Sequence, residues 1–273
     1  MEFKTFENCI PDIDVSYLNI DEYIYSTLIR ILNYECALTI TDGEKFVICH
    51  SQNPYPVWIY LHHNATDEEK EQVYSILKDT FGFDGKYSFN TENGLANFIV
   101  NRCKLDGYDI GITLDLLAYR CTKTVPPSKN PEGYIRAAAL DEVDFTAQLI
   151  NDFKEELQLD IMNMESYKKT ATKHIKNNSF FLWIDKDGKR CGCCTFNDFG
   201  DKSAVGTVYT LPDQRRYGYA SQLVYKVTND VLSRGKTAVL YADKAYGPSN
   251  KCYMKLGYEL MGSICTIGKV ANE

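Results

Sequence analysis

The sequence predicts a mixed α/β (α+β) fold in two parts, and three observations support this prediction. The chain has 273 residues and is 44% hydrophobic and 13% aromatic, which is enough to fill one large or two ordinary cores. Short β-branched and aromatic runs alternate with segments whose apolar residues recur at helical spacing. Three of the eight prolines lie in VPPSKNPEG, so we expect an extended connector near residues 124–133, between domains at 1–125 and 133–273.

The first domain opens with runs typical of strands, ALTI, KFVIC and VWIYLH. Thr66, with Glu69 three residues later, forms a capping-box pattern and predicts a helix over about 67–79. A second helix is expected near 92–103, followed by a strand in LDLLAYRC. His62 and His63 permit a ligand pair or a base, but the cap at Thr66 favours an ordinary strand end. The pattern indicates a mixed α/β domain and no particular function.

The second domain is predicted to start with a strand over Tyr134–Ala139 and a helix with an apolar stripe at Ala147, Ile150, Phe153 and Leu157. FFLWI and RCGCCTF, joined by the turn residues DKDG, predict a hairpin.

Cys191, Cys193 and Cys194 also permit a metal site. Because a structural zinc site needs a second ligand pair at matched spacing, which the sequence lacks, we favour a core strand and expect no metal.

The stretch RRYGYA, residues 215–220, is the first candidate for a functional site. A run of β-branched and aromatic residues precedes it and ends at Pro212, and apolar residues at helical spacing follow up to Gly235. The order is therefore strand, glycine loop, helix. The first N–H groups of such a helix lack internal partners and carry partial positive charge, so they bind phosphate, and Gly218 lets the main chain approach it.

The next segments extend this order. TAVLYAD at 237–243 predicts a buried strand, and Ser249 or Asn250 is expected to cap a short helix that carries Tyr253 and ends at Gly257. A further strand follows. An ordinary loop into an amphipathic helix would explain RRYGYA by itself, but this longer succession is more specific.

Residues from about Tyr134 to Ile267 resemble the GNAT superfamily of N-acetyltransferases. VYTLPDQRRYGYASQLV and SNKCYMKLGY are similar to the bacterial subgroup with the signature VYTPP, RGxGYA and SNxIYxKxGY. The resemblance covers about half of the chain and implies a GNAT fold with a mixed, mostly antiparallel sheet, preceded by a smaller mixed α/β domain that packs on it. A degenerate copy of the same fold is one alternative for that first domain.

The resemblance also implies an acetyl-CoA site and roles for individual residues. The pyrophosphate is expected at Arg215, Arg216, Tyr217, Gly218, Tyr219 and Ala220, and the pantetheine arm at Val208, Tyr209, Thr210 and Asn250, with Tyr253 beside both. Tyr253 corresponds to the usual general acid. The alternative is one of twenty tyrosines packed in a core, but its place three residues after Asn250 favours the acid. Glu155 and Glu156 are candidates for steering the amine or accepting its proton, or are solvated helix charges.

One departure from the subgroup affects the acceptor side. Relatives often have Asn-Pro-x-Ser-Asn before the last helix, whereas this chain has Tyr246, Gly247, Pro248, Ser249 and Asn250. The loop shape, and with it acceptor recognition, is therefore open.

Composition narrows the remaining alternatives. The net charge of −7 disfavours nucleic acid and suits a cationic amine. No run approaches the roughly 18 apolar residues of a membrane span, the first residues do not resemble a signal peptide, and the ten scattered cysteines suit reduced thiols, so we expect a cytoplasmic protein. A non-catalytic acyl-CoA-binding regulatory module stays open. A generic nucleotide-binding protein is disfavoured because GxxxxGK[ST] and G-x-G-x-x-G are absent.

Overall fold

The computed structural model describes residues 3–157, 159 and 162–270, and it confirms the mixed α/β class with a mixed, mostly antiparallel sheet. The chain forms two compact units. Unit 1 comprises Met1–Ala118, Ala242–Ala245 and Met261–Glu273, as far as these are described, and unit 2 comprises Tyr119–Tyr241 and Tyr246–Leu260. The chain therefore crosses between the units more than once.

The described residues contain twelve strands and seven α-helices. The strands are β1 (Lys4–Cys9), β2 (Cys36–Thr41), β3 (Phe46–His50), β4 (Val57–Leu61), β5 (Phe89–Thr91), β6 (Ile110–Cys121), β7 (Gly133–Ala137), β8 (Phe180–Asp185), β9 (Arg190–Phe199), β10 (Lys202–Thr210), β11 (Thr237–Asp243) and β12 (Glu259–Lys269). The helices are α1 (Ser26–Ile31), α2 (Asp67–Thr80), α3 (Asn93–Leu105), α4 (Val143–Glu156), α5 (Met164–Lys176), α6 (Tyr219–Ser233) and α7 (Gly247–Lys255).

In unit 1 the strand order is β1-β2-β3-β4-β5-β12-β6, with β4 and β5 parallel and the pairs β1–β2, β2–β3, β3–β4 and β5–β12 antiparallel. The predicted capping box at the start of α2 is present: the Glu69 N–H donates to Thr66 Oγ1, and the Thr66 N–H donates to Glu69 Oε2. Val73, Tyr74 and Leu77 of this helix are buried in the core of the unit.

In unit 2 the order is β7-β8-β9-β10-β11, antiparallel except for the pair β10–β11. The predicted hairpin is confirmed as β8 and β9, and the three cysteines of RCGCCTF are buried strand residues. Side chains of α4 and α5 pack with those of β8 in one apolar cluster, and α6 buries Leu223, Val224, Val227 and Val231. These contacts hold the N-terminus of α6 in position.

Several elements differ from the sequence prediction. We did not predict β1, α1 or β5. Strand β1 is mostly polar and largely exposed, and β5 has only three residues. Helix α7 begins at Gly247, so the expected cap at Ser249 or Asn250 was wrong. Pro248 explains the difference, because proline is favoured in the first turn of a helix, where its missing N–H is not needed.

Residues 122–132, between β6 and β7, contain no helix or strand. This agrees with an extended segment at VPPSKNPEG, whereas the division into domains at 1–125 and 133–273 stays a prediction. None of the described helices is long and apolar enough to cross a lipid bilayer.

Candidate functional site

A bulge interrupts β10 shortly before the strand ends. Gly206 pairs with Thr195 of β9, but the next pair is Tyr209 with Cys193, so three steps along β10 match two along β9. Thr207, inside the bulge, has a φ of 43°. A β-branched residue with positive φ is an outlier that costs about 1–3 kcal/mol, and such strain concentrates at functional sites.

The end of β10 also parts from its parallel neighbour. Lys202–Ala204 of β10 pair with Thr237–Val239 of β11. Among the described residues, no later residue of β10 pairs with β11. Both strands continue beyond these pairs, to Thr210 and Asp243. Main-chain groups of Val208, Tyr209 and Thr210 on this side are therefore without a β11 partner, and an extended ligand can bind there.

Gly192 of β9 packs against the end of β10 so closely that a side chain at position 192 would not fit. A Cβ at this position would lie 2.4 Å from the carbonyl oxygen of Tyr209 and 3.1 Å from the Cα of Thr210. Thr210 Oγ1 is buried and has no hydrogen-bond partner in the described part of the chain. The predicted contact Thr210 thus has an unused polar atom.

The loop from β10 to α6 has the geometry of an anion site. Gly218 is the N-cap of α6 with a φ of 101°, and no side chain caps this end. The first N–H groups of the helix, from Tyr219 and Ala220 onward, are therefore available to an acceptor from outside the chain. Arg216, with a φ of 70°, is exposed, and its side chain has no ion-pair partner among the described residues.

Lys129, from the proline-rich segment, packs on this loop, and sequence reasoning missed it. Its ammonium group donates to the carbonyl oxygen of Arg216 (Nζ to O, 2.7 Å). Its stem covers the side of Gly218 from which a side chain would project, since a Cβ there would lie 2.9 Å from Lys129 Cβ. Gln222 of α6 donates to the Lys129 carbonyl oxygen (2.9 Å) and fixes the segment. A second cation therefore lies beside the start of α6.

Arg215 is engaged differently from Arg216. Its guanidinium forms an ion pair with Glu156, at the end of α4, and donates to the carbonyl oxygen of Thr210 (Nε to O, 3.0 Å). The Glu156 carboxylate raises the pKa of Arg215. The Glu155 carboxylate accepts a hydrogen bond from the side chain of Asn151, one turn earlier in α4 (2.8 Å). Both glutamates are exposed. Of the two predicted proton acceptors, only Glu156 is joined to the loop.

Asn250 and Tyr253 lie together on α7. The buried amide of Asn250 accepts a hydrogen bond from the hydroxyl of Tyr119 (3.2 Å) and donates to the carbonyl oxygen of Tyr246 (3.2 Å). The rings of Tyr119 and Tyr253 are 6.2 Å apart, and those of Tyr253 and Tyr258 are 5.8 Å apart. Tyr119 was not predicted, because an alternating strand gives no sign that one of its tyrosines orients an amide.

Burial raises the pKa of Tyr253 well above that of a free tyrosine. The phenol therefore keeps its proton at neutral pH and can donate it to a neighbouring atom that gains negative charge.

His62, His63 and the cysteines of RCGCCTF were the alternative candidates for a metal site. His62 and His63 follow the end of β4, with ring centroids 4.4 Å apart. Within the described ranges, no group of three or more His, Cys, Asp or Glu residues is arranged to hold a metal ion. All ten cysteines are free thiols.

One family model matches part of the chain. The family model described as FR47-like protein matches residues 188–266, which run from the β8–β9 turn through the β10–α6 loop to β12. No curated protein matches the chain.

Several solved structures share the fold over nearly the whole chain. A GCN5-related N-acetyltransferase from Sphaerobacter thermophilus matches with a TM-score of 0.67 and 12% identity, covering 97% of this chain and 94% of its own. A GCN5-related N-acetyltransferase from Kribbella flavida matches with a TM-score of 0.63 and 12% identity, covering 94% of this chain and 96% of its own. A GNAT-family acetyltransferase from Colwellia psychrerythraea matches with a TM-score of 0.59 and 12% identity, covering 99% of this chain and 100% of its own. The chain therefore has the GNAT acetyltransferase fold, whereas the subgroup signature stays a prediction.

Proposed function

We propose that this chain, which has the GNAT fold, is an acyltransferase that transfers the acetyl group of acetyl-CoA to a primary amine. The amine attacks directly while both substrates are bound. The observation that carries the proposal is the β10–α6 connection: a bulged strand that has parted from β11 leads, through the loop 211–218, to an uncapped helix N-terminus at Gly218. A molecule with a pyrophosphate and an extended amide-containing arm fits both features.

The pyrophosphate binds at the start of α6. Main-chain N–H groups of Tyr219 and Ala220 donate to it, and Gly218 lets it approach. Arg216 and Lys129 supply the positive charge, while Arg215 is held by Glu156 and shapes the loop. Hydrogen bonds of this charge-assisted kind are roughly twice as strong as neutral ones.

The pantetheine arm then lies along the open side of β10. Its amides exchange hydrogen bonds with the main chain of Val208, Tyr209 and Thr210, as an added strand would. Asn250, oriented by Tyr119, is the side-chain contact at the far end of the arm. The thioester is thereby brought to the bulge, where main-chain N–H groups stabilise the oxyanion that develops on the carbonyl oxygen.

The reaction forms a C–N bond and breaks the C–S bond of the thioester. The amine, with a pKa near about 10.4, must first lose a proton. Glu156 or Glu155 accepts it, directly or through water, and the ion pair with Arg215 makes Glu156 the better positioned of the two. The expelled thiolate, whose thiol pKa is about 8.5, takes a proton from Tyr253. The acceptor is a small-molecule or peptide amine.

The test is release of free thiol from acetyl-CoA in the presence of a panel of small amines, aminoglycosides, amino acids and peptides, with mass spectrometry of the acceptor. A gain of one acetyl group on an amine supports the proposal. Binding of acetyl-CoA without turnover across the panel would instead support the regulatory module. Calorimetry with acetyl-CoA, ATP and NAD provides the control, because tighter binding of ATP or NAD would contradict a coenzyme A site.

A further inference from the structure

Three aromatic rings form a continuous stack from the interior of unit 2 to its surface. Trp183 of β8 is 1% exposed, and Tyr219, the first residue of α6, lies on it with ring centroids 5.7 Å apart and planes inclined by 26°. Tyr217 lies on Tyr219 in the same way, at 5.7 Å and 23°. Tyr217 is 58% exposed. The stack therefore ends in a ring that is supported from inside and open to solvent.

This exposed ring lies within the anion-binding loop. Tyr217 comes between Arg216, whose carbonyl oxygen accepts from Lys129, and Gly218, the N-cap of α6. A phosphate bound by the first N–H groups of the helix, those of Tyr219 and Ala220, therefore lies two or three residues along the chain from this ring. A planar heterocycle linked to that phosphate is the group that a tyrosine face recognises best.

We propose that Tyr217 is the platform on which the adenine of coenzyme A stacks, which rests on the proposed acetyl-CoA site. The support from Tyr219 and Trp183 restricts the ring before the ligand arrives, so little side-chain entropy is lost on binding. Stacking of a base on an aromatic side chain needs no hydrogen bonds to the edge of the base. An exposed ring such as Tyr217 can therefore bind a base through its face alone. The loop then recognises both ends of the nucleotide part: main chain binds the pyrophosphate, and Tyr217 binds the base.

The experiment compares two ligands by calorimetry. Acetyl-CoA carries the adenine, whereas S-acetyl phosphopantetheine has the same arm and one phosphate but lacks the 3′-phospho-AMP part, and with it the adenine. The variants are Tyr217→Ala, which removes the ring, and Tyr217→Phe, which keeps it. Tyr134→Ala is the matched control, because Tyr134 is a similarly exposed tyrosine of the same unit, 55% exposed on β7 and outside the stack.

We expect Tyr217→Ala to weaken acetyl-CoA binding about tenfold, equal to ~1.4 kcal/mol and within the range for base–aromatic stacking. Its affinity for S-acetyl phosphopantetheine should equal that of the unsubstituted protein. Tyr217→Phe and Tyr134→Ala should stay within about twofold for both ligands.

Two results would overturn the inference, and they differ from each other. Equal weakening of both ligands by Tyr217→Ala, or no weakening of either, would mean that the ring does not contact the base. Failure of the unsubstituted protein to bind acetyl-CoA at all would remove the coenzyme A site itself, and the adenine platform with it.

Discussion

A charged side chain at Gly218 tests the anion site most directly, and the chain supplies its own control. Gly218 has a φ of 101° at the start of α6, and Gly235 has a φ of 73° just beyond the end of the same helix. A Cβ at Gly235 meets nothing within 4 Å. Gly218→Glu and Gly235→Glu therefore impose the same change of charge and similar backbone strain at opposite ends of α6.

Both variants should lose stability, Gly218→Glu somewhat more because of its contact with Lys129, and they should differ in binding. Left-handed backbone costs a non-glycine residue about 1–2 kcal/mol, which lowers the melting temperature of a protein of this size by several degrees in both cases. At position 218 the new Cβ also meets the Lys129 stem at 2.9 Å, and the carboxylate competes for the first N–H groups of α6. Losing two charge-assisted hydrogen bonds at about 1.5–3 kcal/mol each weakens binding at least about 100-fold.

Calorimetric titration with acetyl-CoA and thermal unfolding separate the two effects. Gly235→Glu should bind within about twofold of the unsubstituted protein despite its lower melting temperature. The reasoning is refuted if Gly218→Glu binds acetyl-CoA within about threefold of the unsubstituted protein, or if both variants lose affinity equally.

Three further predictions follow from single contacts. Tyr253→Phe should lower turnover about tenfold or more with nearly unchanged acetyl-CoA affinity, since it removes only the proton donor, and equal turnover in steady-state assays would exclude Tyr253 from the mechanism. Lys129→Ala should weaken acetyl-CoA binding about three- to tenfold at low salt and less at high salt, with Lys129→Arg retaining most of it; a salt-independent loss would indicate a packing effect instead. The Arg136 guanidinium lowers the pKa of Glu142 from 4.5 to about 2, so this carboxylate contributes up to about 3 kcal/mol of stability above pH 4.5 that is lost as the pH falls towards 2. The free energy of unfolding of Glu142→Gln should therefore fall less between pH 4.5 and 2 than that of the unsubstituted protein. The same pH dependence in both proteins would contradict the role given to the Arg136–Glu142 ion pair.

Local sequence predicted the elements around the site well. The strand over residues 237–243 has the predicted bounds, and α6 ends just before Gly235, because periodicity and glycine act within a few residues along the chain. The start of α7 was misjudged because two signals competed, and the preference of Pro248 for a first turn prevailed over capping by Ser249 or Asn250.

The bulge in β10 is an intermediate case. The sequence places β-branched and aromatic residues there, and these are compatible with an uninterrupted strand. On the partner strand, Gly192 leaves room for the Tyr209 carbonyl oxygen, and Thr207 inside the bulge has positive φ. A strand's register depends on two segments at once, so one of them alone does not reveal it.

The sequence by itself therefore determined the order of strand, glycine loop, helix, strand and short helix, and the glycine at its centre. Tertiary structure decided which side chains surround that glycine. Arg215 is committed to Glu156, Lys129 is brought in from the proline-rich segment, and Tyr119 orients Asn250. The physical reason is that backbone preferences are local, whereas ion pairs, close packing and buried hydrogen bonds join residues far apart in the chain, and only folding brings them together.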